Sequence, residues 1–244
     1  DGSSQDLTPG ENARSLFSGW AFHEKSFYYT SNKRNPKYMD VYEMDIQSFE
    51  SKIIFQNDGA LNYADVSNDG RFLALSKTHT RDNSDMYLYN VKSGELKLLS
   101  SHVGNINHSP AGFSVDSKSL YFLTDQDSEF NFLKRYNIPS GEIETIQKED
   151  WDIWYNYFSH TGRYRVTGIN VDSQTEIKIY DDEKNRHVRL PTLPAGSVSS
   201  VSISKSEKYM ALYHGSVKSP SDLYLLDVTS KAYQKLTDSM NPNV

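Results

Sequence analysis

The sequence contains no cysteine, which excludes disulfides, thiolate metal sites and a cysteine nucleophile. That absence leaves the compartment open, since it suits reducing and oxidising surroundings alike. No apolar run approaches the roughly 20 residues that span a bilayer. The opening Asp1-Gly2-Ser3-Ser4-Gln5-Asp6 lacks a basic and then apolar leader pattern. With 26 basic and 32 acidic residues scattered along the chain, there is no linear concentration of positive charge. Nucleic acid and membrane are therefore not expected partners.

Catalytic and metal signatures are missing as well. An α/β-hydrolase nucleophile elbow needs Gly-x-Ser-x-Gly, because the tight strand-to-helix turn leaves no room beside the serine. Gly112-Phe113-Ser114-Val115-Asp116 and Gly196-Ser197-Val198-Ser199-Ser200 each lack the second glycine. Ser114 sits at a turn position, where a hydroxyl stabilises the turn. The seven histidines, His23, His79, His102, His108, His160, His187 and His214, form neither His-x-His nor His-Glu-x-x-His, so a metal would need ligands from several elements. Asp125-Gln126-Asp127-Ser128-Glu129 alternates carboxylates that could meet Ca²⁺, but lacks the glycine and terminal glutamate of a full loop. No catalytic residue, cofactor or metal ligand is assigned.

What the chain does contain is aromatic surface, 17 Tyr and 11 Phe, and residues of this kind favour strands. It also contains a repeat. Tyr63-Ala64-Asp65-Val66-Ser67 turns through Asn68-Asp69-Gly70 and returns as Arg71-Phe72-Leu73-Ala74-Leu75-Ser76. A polar loop, Thr80 to Ser84, leads to Asp85-Met86-Tyr87-Leu88-Tyr89-Asn90-Val91, and a turn at Lys92-Ser93-Gly94 leads to Glu95-Leu96-Lys97-Leu98-Leu99-Ser100. These are four antiparallel strands. The first-turn element recurs from positions 22, 67, 114, 159 and 204, at spacings of 45, 47, 45 and 45. The third-strand element recurs at Asp40, Asp85, Phe132, Glu176 and Asp222. A long β-sandwich also has frequent turns, but does not require a four-strand supra-period. The expected fold is all-β, a β-propeller of five four-stranded antiparallel blades plus a leading strand from a preceding blade.

The boundaries that follow are residues 1–10 for the leading strand and 11–58, 59–102, 103–150, 151–195 and 196–238 for the blades. Residues 239–244 would begin a linker. Gln5-Asp6-Leu7-Thr8 resembles the fourth-strand endings Leu98-Leu99-Ser100 and Gln234-Lys235-Leu236-Thr237, so the chain is expected to be part of a larger ring.

Ser-x-Asp-Gly-Arg-Phe-Leu-Ala, then Asp-x-Tyr-Leu-Tyr-x-Val-x-x-Gly-Glu, then Leu-Leu-Ser or Leu-Thr, is similar to the TolB-like blade. The whole chain resembles the N-terminal propeller of bacterial serine peptidases of the prolyl oligopeptidase family, in the acylaminoacyl-peptidase-like branch. Thr30-Ser31-Asn32-Lys33-Arg34 and Leu236-Thr237-Asp238-Ser239-Met240-Asn241-Pro242 carry the likeness further. The resemblance implies a non-catalytic domain that gates or docks peptide substrates for a C-terminal α/β-hydrolase domain of the same polypeptide. It also implies a periplasmic or secreted location ahead of a cytoplasmic one. The Glu-Glu pair with which dipeptidyl-peptidase relatives hold an amino terminus is absent, and Asp181-Asp182-Glu183 falls in a strand 3 to 4 turn. The alternative is a TolB-like protein-interaction propeller with no attached enzyme, since one fold serves several functions. A third class, glycosidases or lyases with a site in the channel, would need paired carboxylates on inner strands. Only Asp65 and Asp152 stand there.

In an antiparallel blade the 2 to 3 connections and the links between blades emerge at one end, the other turns at the opposite end. The first set varies most: Asn32 to Tyr38, His79 to Ser84, Asn105 to Ser109, Asp125 to Phe130, Asp150 to Tyr155, Asn170 to Thr175, Ala195 to Ser199 and Gly215 to Ser221. Arg34, His79, Arg81, His108, Trp151, Trp154 and Tyr155 are the candidate substrate or docking residues there. Strand alternation puts Trp151, Ile153, Tyr155 and Tyr157 on one side and Trp154 with Phe158 on the other. One set could face the channel, or the rings could be wedged between blades.

Overall fold

Asp-Gly and Ser-x-Asp turns at a fixed period close one hairpin after another, and the computed structural model, which describes residues 2–10, 12–193 and 196–240, shows the result. The described residues form five four-stranded sheets with no helix. The strands are β1 (Ser15–Trp20), β2 (Ser26–Ser31), β3 (Asp40–Asp45) and β4 (Ser51–Phe55) in the first blade, then β5 (Asn62–Val66), β6 (Phe72–Thr80), β7 (Asn83–Asn90) and β8 (Leu96–Leu98) in the second. The third blade holds β9 (His108–Phe113), β10 (Ser119–Thr124), β11 (Phe132–Asn137) and β12 (Ile143–Gln147). β13 (Ile153–Phe158), β14 (Tyr164–Val171), β15 (Gln174–Asp181) and β16 (Arg186–His187) make the fourth blade. The fifth comprises β17 (Ser197–Ile203), β18 (Tyr209–Ser216), β19 (Ser219–Asp227) and β20 (Tyr233–Lys235). Each sheet runs in chain order, as a meander does. The chain divides into two compact units, residues 1–117 and 118–244.

One end of every blade is built to a single plan. The strand 1 to 2 connections are residues 21–25, 67–71, 114–118, 159–163 and 204–208, equal in length. Each places its fourth residue at positive φ: Glu24, Gly70, Ser117, Gly162 and Glu207. Glycine reaches that conformation without strain, which accounts for the Asp-Gly of the second blade. The turn serine is the other fixed part. Ser67, Ser159 and Ser204 accept the N–H of Phe72, Tyr164 and Tyr209 through their hydroxyls at 2.9 to 3.1 Å. Ser114 donates to Asp116 at 2.6 Å, the turn-stabilising role expected of it. The strand 3 to 4 turns likewise carry a positive φ, at Phe49, Gly94, Gly141, Asn185 and Lys231.

An aspartate in the first half of strand 3 and the hydroxyl that follows strand 4 form a second recurring device. Ser100 Oγ accepts the Met86 N–H at 2.7 Å and donates to Asp85 at 3.4 Å. Thr237 Oγ1 accepts the Leu223 N–H at 2.9 Å and donates to Asp222 at 3.0 Å. In the first blade Asp40 accepts the Asn57 N–H at 2.8 Å. The Leu-Leu-Ser and Leu-Thr endings are thus the chemistry by which a fourth strand is fastened to the third.

Asp222 also pairs with Lys235 at 2.9 Å and accepts the Ser239 N–H at 2.8 Å. The Lys235 bond leads the interactions that hold its carboxyl down to about 2 from an ordinary 3.8, with burial opposing. Since the folded value lies below the unfolded one, this stabilisation is complete above about pH 4 and is lost as pH falls through about 2. Asp222→Asn is expected to flatten the melting-temperature profile across that window. A profile superimposable on the parent would remove Asp222 from the acid response.

At the other end three of the loops expected between strands 2 and 3 are tight hairpins. β6 runs to Thr80 and β7 starts at Asn83, leaving only Arg81 and Asp82 between them. β14 and β15 turn on Asp172 and Ser173, both at positive φ (47 and 66), as a two-residue turn matched to strand twist requires. Val217 and Lys218 join β18 to β19. Polar composition signalled loops here, but backbone pairing continues through Lys77↔Asp85, Asn170↔Thr175 and His214↔Asp222. The long connections are 32–39 in the first blade and 125–131 in the third.

Residues 2–10, the described part of the expected leading strand 1–10, carry no strand. A strand needs a partner ladder, and Leu7 instead packs against Tyr29, Tyr42 and Met44. Residues 241–244 of the expected linker, and Pro194 and Ala195 of the fourth inter-blade loop, lie outside the described residues.

Each unit has its own core between successive blades. In residues 1–117, Val41, Phe55, Leu61, Leu73 and Leu75 are buried together. In residues 118–244, Tyr164, Val166 and Ile179 of the fourth blade pack with Val201, Met210, Leu212, Tyr224 and Leu226 of the fifth.

Candidate functional site

In residues 1–117 the candidate side chains divide between fastening and exposure. Arg34, in the 32–39 loop, donates from Nε and Nη2 to the two oxygens of fully buried Asp40 at 2.7 and 2.8 Å. Its Nη2 also reaches Asn57 O and Asp58 Oδ1, both at 2.9 Å. A planar fork suits this bidentate pairing, and it ties the loop to the link between blades. Arg34 is thereby committed to the scaffold.

His79 lies against Asp85, and His108 is near it through His102. His79 Nε2 is 2.8 Å from Asp85 Oδ2, while His102 Nδ1 is 2.6 Å from Ser100 O and its Nε2 2.9 Å from Asn83 Oδ1. The carbonyl acceptor places a proton on His102 Nδ1. Burial pushes the Asp85 carboxyl up, but the His79 bond and the charges of His79 and His102 outweigh it and the net shift is downward. His108 is buried with its ring 5.1 Å from that of His102. Its backbone is clamped by Ser84, whose Oγ accepts the His108 N–H and donates to the His108 carbonyl, each at 2.9 Å. His108 therefore packs, while His79 and Arg81 are exposed, as is part of the Arg34 side chain.

In residues 118–244 the aromatic run Trp151 to Phe158 forms most of β13. The pairing of β13 with β14 shifts between Ile153 and Tyr155, so that Ile153 faces Ile169 and Tyr155 faces Gly168. Trp154 is the extra residue of a β-bulge, a device that re-aims a side chain. Simple alternation accordingly fails: Ile153 and Tyr155 fall on opposite faces, because Ile169 and Gly168 do. β1, β5 and β17 carry matching irregularities at 17/19, 63/65 and 198/200. The bulge belongs to the first strand as a type.

The consequence is an exposed aromatic strip. Trp154 is 52% and Trp151 40% exposed. Trp151 lies 6.0 Å from Phe130 of the 125–131 loop, and Tyr155 stacks between Trp154 and Tyr157 at 6.4 Å on each side. Tyr155 and Tyr157 also pack against the core of the fourth and fifth blades, so their rings are wedged while the two tryptophans are not. The Tyr155 hydroxyl is buried without a hydrogen-bond partner among the described residues, and burial raises its pKa. Tyr157 donates to the Val201 carbonyl. Gly168, which no sequence signal marks, provides the space for the Tyr155 ring. No group of three or more potential ligands able to hold a metal occurs among the described residues.

Sequence comparison aligns 192 residues, 72% of this chain, with 25% of a prolyl endopeptidase of Elizabethkingia meningoseptica at 24% identity. A Tol-Pal system protein TolB of Wolinella succinogenes is 31% identical over 124 residues, 50% of this chain and 28% of that protein. The chain thus spans about a quarter of the length of these curated relatives. A solved prolyl endopeptidase superimposes with a TM-score of 0.70 at 17% identity, covering 94% of this chain and 36% of that one, a likeness of fold. Residues 10–239 match the family model of the prolyl oligopeptidase N-terminal beta-propeller domain. With five meander blades built on one turn plan and that match across nearly all of them, the chain belongs to the N-terminal β-propeller domain family of prolyl oligopeptidase.

Proposed function

We propose that this chain is the non-catalytic propeller of a serine peptidase, handling peptides for an α/β-hydrolase domain elsewhere in the same polypeptide. The observation that carries the reading is the family match over residues 10–239 in a sequence with no Gly-x-Ser-x-Gly of its own. Trp151 and Trp154 are the residues we assign to peptide contact; His79 and Arg81, in residues 1–117, are exposed polar groups assigned to docking in their own right. Exposed indole rings held by a rigid strand offer a peptide apolar area at little entropic cost. Tyr155 supports Trp154 by stacking against it.

The test is covalent labelling by a fluorophosphonate, which reacts with an activated serine. The complete polypeptide is expected to label and the 244-residue chain alone to stay unlabelled. A complete polypeptide that neither labels nor hydrolyses peptides would overturn the reading. It would favour the second one, a TolB-like protein-interaction propeller, which the 31% identity to TolB supports.

A further inference from the structure

The turn end of the fourth and fifth blades holds a cleft of about 800 Å³, within the ordinary size range of ligand clefts. Four separate turns contribute to it: 159–163 and 182–185 of the fourth blade, 204–208 and 228–232 of the fifth. Its charges are unbalanced. Of the acidic lining groups, Asp181 is taken by Arg163 at 3.0 and 3.2 Å, and Glu207 accepts the Thr161 N–H at 3.0 Å and the Thr161 hydroxyl at 2.7 Å. Arg163 is fully engaged, since it also pairs with Glu183 at 3.2 Å. Lys184, Arg186, Arg189, Lys208 and Lys231 remain, all exposed and without an ion pair among the described residues. Five cations without an ion pair thus line one cleft of a chain whose net charge is −6.

We propose that this cleft docks an extended, carboxylate-rich peptide segment of a partner protein. Lys184, Arg186 and Arg189 lie along one stretch of the fourth blade and Lys208 and Lys231 on two turns of the fifth, a spread that suits several carboxylates along a chain better than one small anion. The walls include Val188 and Val228, apolar surface that a peptide backbone and methylene stems can cover. β16 is the last strand of its sheet and pairs only with β15. Arg186 in that strand and Arg189 beyond its end offer two side-chain cations to such a segment. The net charge of the chain is −6, which disfavours a long nucleic-acid backbone.

The experiment is fluorescence anisotropy of a labelled oligo-glutamate peptide with the 244-residue chain, against oligo-lysine and single-stranded DNA of matched length. The oligo-glutamate is expected to bind, to be released by about 0.5 M salt, and to lose at least about tenfold in affinity with Arg186→Glu/Arg189→Glu. Lys231→Glu, across the cleft, gives an independent reversal should the double variant fold poorly. No binding by the parent chain, affinity unchanged in both variants, or DNA binding as tight as the peptide would each overturn the proposal.

Discussion

Gly168→Ala is expected to destabilise the chain by about 3 kcal/mol, as overpacking of a filled site does. A Cβ on Gly168 would lie 2.7 Å from Tyr155 Cδ1 and closer still to Cε1 and Cζ. The ring has nowhere to go. It is stacked between Trp154 and Tyr157 and rests on the core shared by the fourth and fifth blades. Gly168 is not at positive φ, so the cost is space alone and no backbone strain adds to it. The strand pairing itself would tolerate alanine. A double-mutant cycle with Tyr155→Ala in guanidinium chloride separates the two sources, since removing the ring removes the clash. The second substitution should recover at least about 1 kcal/mol relative to additivity. Full additivity would mean that Gly168 matters for some reason other than the ring. Tyr155→Phe, by contrast, should be neutral or slightly stabilising, because it deletes a buried hydroxyl that has no partner.

The five blades were legible because two elements with different chemistry share one period. Ser67-Asn68-Asp69-Gly70 announces a turn through glycine and a capping hydroxyl, and Asp85 with Ser100 announces the fastening of strands 3 and 4. Both are local in sequence and identical in role wherever they recur. The hairpin ends were less legible. Thr80, Arg81, Asp82 and Asn83 look like a loop by polarity, yet β6 and β7 pair almost to the tip because nothing interrupts their hydrogen bonds. Polarity reports exposure, and an exposed hairpin is polar whether or not it is paired.

The candidate site was legible in part. Trp151 and Trp154 are exposed as a binding surface requires, but the face of Trp154 could not be read from alternation. A bulge shifts the register, and only pairing with β14 shows which residue is the extra one. Arg34 and His108 look available in sequence because their partners, Asp40, Asn57 and Ser84, become partners only when loop and strand ends meet. The basic cleft was invisible for the same reason. Lys184, Arg186 and Arg189 lie far along the chain from Lys208 and Lys231, each group among acidic residues, and the sheet geometry alone brings them to one cleft.

Peptide handling by the exposed tryptophans is the claim on which the functional account rests, and the complete polypeptide can test it. The measurement is the ratio of kcat/KM for a long peptide to that for a short chromogenic substrate, in the parent and in Trp151→Ala/Trp154→Ala. Both rings are well exposed, so the variant should keep its stability to within about 1 kcal/mol. It is expected to lose about tenfold on the long peptide, as a lost contact of about 1.4 kcal/mol would give, while the short substrate turns over as before. An active enzyme whose ratio is unchanged by the double substitution would contradict the account.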